Sequence, residues 1–144
     1  MRRIAALALL AALAAACGGV FTLEVGTCFD DEGPVGESTA PEEISSVPEV
    51  DCSEPHDNEV FAVIEYTATD DYPGTAQMTD IATDLCIEQF DEYVGIPYLE
   101  SELAVFPITP TEDGWNRLND REIICALYNL DFSKLTGSME GAAR

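Results

Sequence analysis

The sequence predicts an α+β domain in which an antiparallel sheet is packed by one principal helix and held by two disulfides. Segments rich in β-branched and aromatic residues lie on both sides of a single amphipathic stretch, and no strand–helix alternation repeats. Hydrophobic residues make up 47% of the 144 residues, enough for the core of a single domain. The chain has 5 cysteines; one belongs to the N-terminal segment, and four remain to pair.

The first two strands are predicted at residues 20–29 and 44–50. The first is rich in β-branched and aromatic residues. The charged segment 30–43 contains glycine and proline and is expected to form a surface loop. The second is a short edge strand, because Pro48 lacks the N–H that a central ladder needs.

Residues 59–66 show the clearest strand alternation and are predicted to lie at the centre of the sheet. One face carries Val60, Ala62, Ile64 and Tyr66, and the other carries Phe61, Val63 and Glu65. Further strands are predicted at 101–108 and 122–130, with a loop or hairpin connection at 109–121. The residues of the last strand that share a face are Ile123, Cys125 and Leu127.

A helix is predicted after the turn at 70–74. Its apolar residues recur at spacings of three and four and form one stripe: Met78, Ile81, Ala82, Leu85, Cys86, Phe90 and Tyr93. The outer face carries Asp80, Asp84, Glu88 and Asp91. Thr75 is the expected N-terminal cap, and Gly95 is the expected C-terminal stop. The stripe indicates core packing rather than a cofactor site.

The N-terminal segment predicts export and a lipid anchor. Residues 1–16 combine a basic start with an apolar stretch too short to span a bilayer comfortably, as in a signal peptide. Small residues precede Cys17, as in a bacterial lipobox, although the usual leucine is shifted by one place to Leu13. Cys17 is expected to carry lipid, with residues 17–22 forming the lipidated N-terminus and a linker to a domain at 23–141. The alternative is an ordinary secretory signal.

The remaining cysteines are expected to form disulfides, as is typical of an exported domain of this size. Cys86 lies in the helical stripe and Cys125 faces inward on the last strand, so a bond between them would join helix and sheet. A bond between Cys28 and Cys52 would close the acidic loop. This pairing is favoured, each bond contributing about 3–4 kcal/mol through loop entropy. Four cysteines allow three connectivities, and the other two stay open.

The chain is strongly acidic, with 28 acidic and 6 basic residues and a formal charge of −22. Loss of Arg2 and Arg3 with the signal peptide would leave four basic residues and a charge of −24. Such a chain is repelled by nucleic acid and by anionic lipid head groups, so neither is an expected partner. The acidic residues are dispersed, which favours a solvated surface over a dedicated cation site.

The segment 50–63 contains Cys52 and the only histidine, His56. A nucleophilic Cys52–His56 dyad would need a free thiolate, which the expected disulfide removes. Zinc ligands would come from His56 with Glu54, Asp57 or Glu59, but a second ligand cluster at diagnostic spacing is lacking. No enzymatic activity, metal or cofactor is therefore expected.

Three other interpretations concern structural side chains. His56 is expected to donate to a carbonyl or carboxylate and to pin its turn to the following strand, with contact to a partner as the open alternative. Trp115 is expected to cover the edge of the core. Arg121 is expected to pair with a local acid.

Several motifs resemble, in order, the septum-formation domain of secreted or membrane-tethered proteins of high-GC Gram-positive bacteria. They are "LEVGTCFDD", "VPEVDCSEPHDNEVFAV", a helical cysteine before "YVGI", "PITP" with Trp115, "NDREIIC" and "LTGSMEG". The segment with cysteine, proline and histidine followed by Glu-Val is the most specific. Asn119 stands where the family's Gly-Asp-Arg has glycine, so this turn is expected to differ.

The resemblance implies an extracytoplasmic, disulfide-bonded, non-catalytic module connected with the division septum. The chain is interpreted as an interaction module on the outer face of the cell membrane, anchored through Cys17 and contacting envelope or division proteins. The alternative is a ligand- or cation-binding lipoprotein that serves a transporter or sensor. One helix and no second lobe are poorly suited to enclosing a small solute, which favours the interaction module.

Overall fold

The computed structural model describes residues 21–31 and 46–144. In these residues five strands form one antiparallel sheet: β1 (Cys28–Phe29), β2 (Glu49–Val50), β3 (Asn58–Glu65), β4 (Leu103–Ile108) and β5 (Glu122–Asn129). The strand order is β2-β1-β3-β5-β4, so β3 occupies the predicted central position. One long helix, α1 (Thr75–Val94), packs on β3 and β4. The α+β prediction and its single principal helix are confirmed.

The first predicted strand is wrong over most of its length, since only Cys28–Phe29 is extended and paired. Gly26 has a φ of 86°, and the amide of Thr27 donates to the carbonyl of Glu24 at 3.1 Å. This left-handed glycine turn ends the extended backbone before the ladder begins. The short second strand does lie at the sheet edge as predicted, while most of the acidic loop falls outside the described residues.

The predicted alternation of β3 is wrong at Val60. A register shift between Val60 and Ala62 places an extra residue in β3 opposite β5. Val60 therefore packs in the apolar cluster on the helix-free face, whereas Phe61 and Ala62 both belong to the cluster beneath α1. A bulge reverses the faces of a strand because side chains alternate with a period of two. The sequence of β3 is apolar on both sides of the bulge, so the position of the bulge cannot be predicted from the sequence pattern.

The helix buries the predicted stripe and ends as expected. Met78, Ala82, Cys86 and Phe90 are buried, and the predicted acidic residues of the outer face are exposed. Gly95 closes the helix in a left-handed conformation, its amide 2.9 Å from the carbonyl of Asp91. Thr75 as the N-terminal cap is wrong, because Gly74 occupies that position and no side chain bonds the first turn.

The connection between β4 and β5 contains one π-helical turn, Gly114–Leu118. Asn119 follows it in the left-handed backbone region, with a φ of 55°. Asparagine tolerates this left-handed region better than most residues. The turn thus keeps a backbone suited to glycine even though glycine is replaced.

The sheet is packed on both faces, and both predicted disulfides are present. The larger cluster lies beneath α1; the smaller one, on the other face, includes Leu23 and Phe29. Cys86–Cys125 joins α1 to β5, and Cys28–Cys52 joins β1 to the turn after β2. The predicted signal peptide at 1–16 and the lipidation site Cys17 lie outside the described residues. Among the helices that are described, none has the length and apolar character needed to cross a membrane.

Candidate functional site

The segment around His56 fastens the C-terminal part of the chain to the sheet edge. His56 and Leu135 exchange two backbone hydrogen bonds, at 3.0 and 2.8 Å. The amide of Gly137 donates to the carbonyl of Cys52 at 2.7 Å. The turn that begins at Cys52 is therefore held covalently by β1 and through its backbone by residues 135–137.

The imidazole of His56 is 0% exposed. Its Nδ1 lies 2.8 Å from the carbonyl oxygen of Glu54, so the ring donates to a carbonyl as predicted. The imidazole therefore bonds within its own turn and not, as predicted, to the following strand. The backbone of His56 is attached to Leu135 instead. The side chain has no exposed surface, so it lies inside the turn and does not contribute to the surface of the protein.

Glu59 forms the centre of a buried network that sequence reasoning considered only as a zinc ligand. Its carboxylate is 0% exposed and accepts hydrogen bonds from Tyr93 Oη at 2.7 Å, Ser138 Oγ at 2.5 Å and the Met139 amide at 2.7 Å. Bonds to a carboxylate are about twice as strong as neutral ones. Burial, followed by the bond to Glu59, raises the pKa of Tyr93. The network joins β3, α1 and the C-terminal segment.

Cys28 Sγ, a ring nitrogen of His56 and a carboxylate oxygen of Glu59 lie within 4.8 Å of one another. Zinc requires a deprotonated cysteine, but Cys28 Sγ is bonded to Cys52 Sγ. Both oxygens of Glu59 already accept hydrogen bonds. In its disulfide form this trio does not fit a metal ion. The trio also brings Cys28, rather than the sequence neighbour Cys52, to the histidine.

An ion-pair cluster lies beside this network at the sheet edge. Lys134 Nζ is 2.7 Å from Asp30 Oδ1 and 2.8 Å from Asp57 Oδ2. The hydrogen bond from Lys134 holds the pKa of Asp30 below its ordinary value. The same two carboxylates raise the pKa of Lys134. The cluster ties the C-terminal segment to the residues next to β1 and β3.

Trp115 and Arg121 form a separate structural unit. Trp115 is buried in the cluster beneath α1, and its Nε1 donates to the carbonyl of Asp70 at 2.9 Å. The guanidinium of Arg121 lies 3.7 Å from the centroid of the Trp115 ring and donates to the carbonyls of Trp115 and Asp120. The expected acid partner of Arg121 is thus replaced by an aromatic face and backbone oxygens, a cation–π arrangement. Trp115 lies deeper than the predicted core edge.

A groove of about 200 Å³ opens on the helix-free face, where the smaller cluster ends. It is lined by Asp31, Asp57, Asn58, Phe106, Tyr128, Asn129, Phe132 and Ser133. Phe132 is 64% exposed, has a φ of 61°, and stacks on Tyr128 with ring centroids 5.6 Å apart. A phenylalanine in this backbone region is uncommon and marks a conformation that the surroundings impose. No pattern in the sequence predicted this groove, because its residues come from four separate segments.

A comparison with protein families matches residues 26–144 to the family described as septum formation. The chain therefore belongs to the septum-formation family, as its motifs predicted. Membership indicates a role in septum formation or cell division and agrees with an envelope or extracytoplasmic location. No curated protein and no solved structure matches the chain.

Proposed function

We propose that this protein is a lipid-anchored, non-catalytic interaction module that acts outside the cytoplasm in septum formation. The groove beside Phe132 carries this proposal. Phe106 and Phe132 expose aromatic surface on the helix-free face of the sheet, and Asp31 and Asp57 line the same groove. Exposed aromatic residues at a groove with a polar rim are characteristic of protein-interaction sites.

The acidic composition favours a basic partner. The formal charge of −22 produces a field that attracts cationic segments and repels acidic ones. An extended segment with an apolar or aromatic side chain and a neighbouring lysine or arginine fits the groove, because the ring stacks on Phe132 while the cation faces Asp31. The groove is smaller than the roughly 300–1,000 Å³ typical of small-molecule pockets, which speaks against an enclosed solute.

Cross-linking in intact envelopes, followed by affinity purification, tests the docking role. Phe132→Ser is expected to lose the cross-linked division or cell-wall protein, since it removes the largest exposed ring of the groove. Leu99→Ser is the matched control, because Leu99 is 94% exposed and does not line the groove. Equal capture by both variants would contradict the assignment of the groove. Transporter subunits as the dominant partners would favour the ligand-binding alternative.

The anchor is tested separately at Cys17. Cys17→Ala is expected to abolish incorporation of a labelled fatty acid and to move the protein out of the membrane fraction, because a thioether-linked lipid requires that sulfur. Cys17→Ala that remains labelled and membrane-bound would show that the chain has no lipid anchor at this position.

A further inference from the structure

One ring nitrogen of His56 has a hydrogen-bond partner, and the other has none among the described residues. A carbonyl oxygen only accepts hydrogen bonds, so the 2.8 Å contact with Glu54 requires the proton of the neutral ring to be on Nδ1. Nε2 is then an unprotonated lone pair. It is buried and has no hydrogen-bond partner among the residues that the structure describes. An unsatisfied buried polar atom destabilises the fold, so a purely structural histidine leaves this atom unexplained.

The neighbouring disulfide supplies a reason. Cys28 Sγ lies within 4.8 Å of a ring nitrogen of His56, but a disulfide sulfur has no proton to donate. Reduction would turn Cys28 into a thiol next to a base. A thiol beside an imidazole transfers its proton readily and forms a thiolate–imidazolium pair.

The two sulfurs of this disulfide differ in access. Cys28 is 1% exposed on β1, whereas Cys52 is only partly buried in its turn. Cys52 is the more accessible half of the disulfide, so an incoming thiolate is expected to attack Cys52 Sγ, with Cys28 as the leaving group. We infer that Cys28–Cys52 is an exchangeable disulfide, attacked at Cys52 by an extracytoplasmic dithiol, and that His56 Nε2 accepts a proton beside Cys28.

The exchange balances as a two-electron transfer. A thiolate of the external dithiol attacks Cys52 Sγ, a new S–S bond forms, the Cys52–Cys28 bond breaks, and its electron pair remains on Cys28. The proton released from that attacking thiol ends on His56 Nε2. The second thiol of the donor then attacks the mixed disulfide, and its proton ends on Cys52. The donor leaves as a disulfide, and the protein keeps a Cys28 thiolate beside an imidazolium together with a Cys52 thiol.

Charged groups from several elements lie around His56 and Cys28. Glu59 on β3 is the buried carboxylate of the same trio, and Asp30 lies at the end of β1. Asp57, on the segment that follows His56, and Lys134, on the C-terminal segment, neutralise one another in part. The surplus is negative and opposes a thiolate on Cys28, so the expected lowering of the Cys28 pKa below about 8.5 has to come from the imidazole itself.

The other disulfide provides an internal reference. Cys86 and Cys125 are both 0% exposed, and the cluster around them is formed by apolar side chains. An external thiolate reaches neither sulfur without opening the helix–sheet contact, and a thiolate left there would be desolvated. Exchange is thus expected at one disulfide only.

Partial reduction of the purified protein with dithiothreitol, alkylation of free thiols and peptide mapping test the inference. Cys28 and Cys52 are expected to become labelled at least about tenfold faster than Cys86 and Cys125, because rates follow access to the attacked sulfur. Equal rates, or earlier labelling of the core pair, would overturn the inference.

The role of His56 is tested by the ultraviolet absorbance of the Cys28 thiolate in Cys52→Ser, where Cys28 has no disulfide partner. Its midpoint is expected at least about one pH unit below 8.5. His56→Asn in the same background keeps an amide donor for the Glu54 carbonyl but removes Nε2, and should return the midpoint to 8.5 or above. A midpoint at or above 8.5 in Cys52→Ser alone refutes the pair, even if His56→Asn does not fold. These results do not depend on the docking role of the groove.

Discussion

Cys86–Cys125 and Cys28–Cys52 stabilise regions that rely on different forces. Around Cys86–Cys125, a helix and a sheet bury one continuous apolar cluster that includes Phe90 and Trp115. Around Cys28–Cys52, the two paired strands are only two residues long, and Glu59 and Lys134 hold the chain through hydrogen bonds and ion pairs. The same kind of bond thus reinforces apolar packing in one region and compensates for little packing in the other.

Removing each disulfide is expected to give the largest differences in stability between the two regions. Cys86→Ala with Cys125→Ala is expected to lower the free energy of unfolding by about 5 kcal/mol, of which about 4 is loop entropy for a separation of 39 residues and the rest is the cavity left in the core. Cys28→Ala with Cys52→Ala, across 24 residues and near the surface, should lose about 3 kcal/mol. Urea unfolding at neutral pH measures both, and a larger loss at the sheet edge would reverse the proposed order.

The same difference explains how much the sequence could predict. The helix–sheet region was predicted well, because the 3.6-residue stripe of α1 and the alternation of β5 both follow from local periodicity. Cys86 and Cys125 each lie on a predicted inner face, and the disulfide between them was predicted for that reason. The bulge in β3 was missed because an apolar run hides a change of face.

The edge region was predicted in its covalent link and missed in its polar contacts. Glu59 meets Ser138 and Met139 across about eighty residues of sequence, and no local pattern encodes such a distance. Likewise, Lys134 meets Asp30 only after the chain has returned to the edge. The groove combines four separate segments, including β4 and the C-terminal end of β5, so the spacing of residues along the sequence could not predict it. The spacing of apolar residues predicts which faces of a helix or strand are buried. These sites instead depend on contacts between residues that are far apart in the sequence.

Glu59→Gln should sharpen the contrast by weakening the edge without creating a cavity. The substitution removes the charge from a buried acceptor of three hydrogen bonds and is expected to cost about 2 kcal/mol in the free energy of unfolding. Faster hydrogen exchange at the Met139 amide should accompany it. Glu65→Gln, at the exposed end of the same strand, is the matched control and should change stability by less than about 0.5 kcal/mol. Equal losses of unfolding free energy in Glu59→Gln and Glu65→Gln would show that the buried network does not add to stability.

Tyr93→Phe should cost less, about 1 kcal/mol at neutral pH, and its effect should depend on pH. The folded-state pKa of Tyr93 is raised, so the unfolded chain loses this proton first, near pH 10. The contribution of Tyr93 is therefore complete below about pH 10 and declines as pH rises towards the folded-state pKa. The difference in unfolding free energy between wild type and Tyr93→Phe, measured from pH 8 to about 11, should shrink on the alkaline side. A constant difference would show that the hydroxyl does not titrate differently in the two states.

Lys134→Met should have the smallest effect, because its ion pairs with Asp30 and Asp57 are partly exposed to water. The expected loss is about 1 kcal/mol or less, decreasing as salt is added. The pKa of Asp30 is lowered in the folded state, so this stabilisation is present above its unfolded value near 3.9 and is lost as pH falls through the folded value. Arg117→Met, which removes the more exposed pair with Asp113 on the π-helical turn, is the control and should lose about 0.3–0.5 kcal/mol. A loss for Lys134→Met that exceeds that of Glu59→Gln would mean that the surface charges stabilise this edge more than the buried carboxylate does.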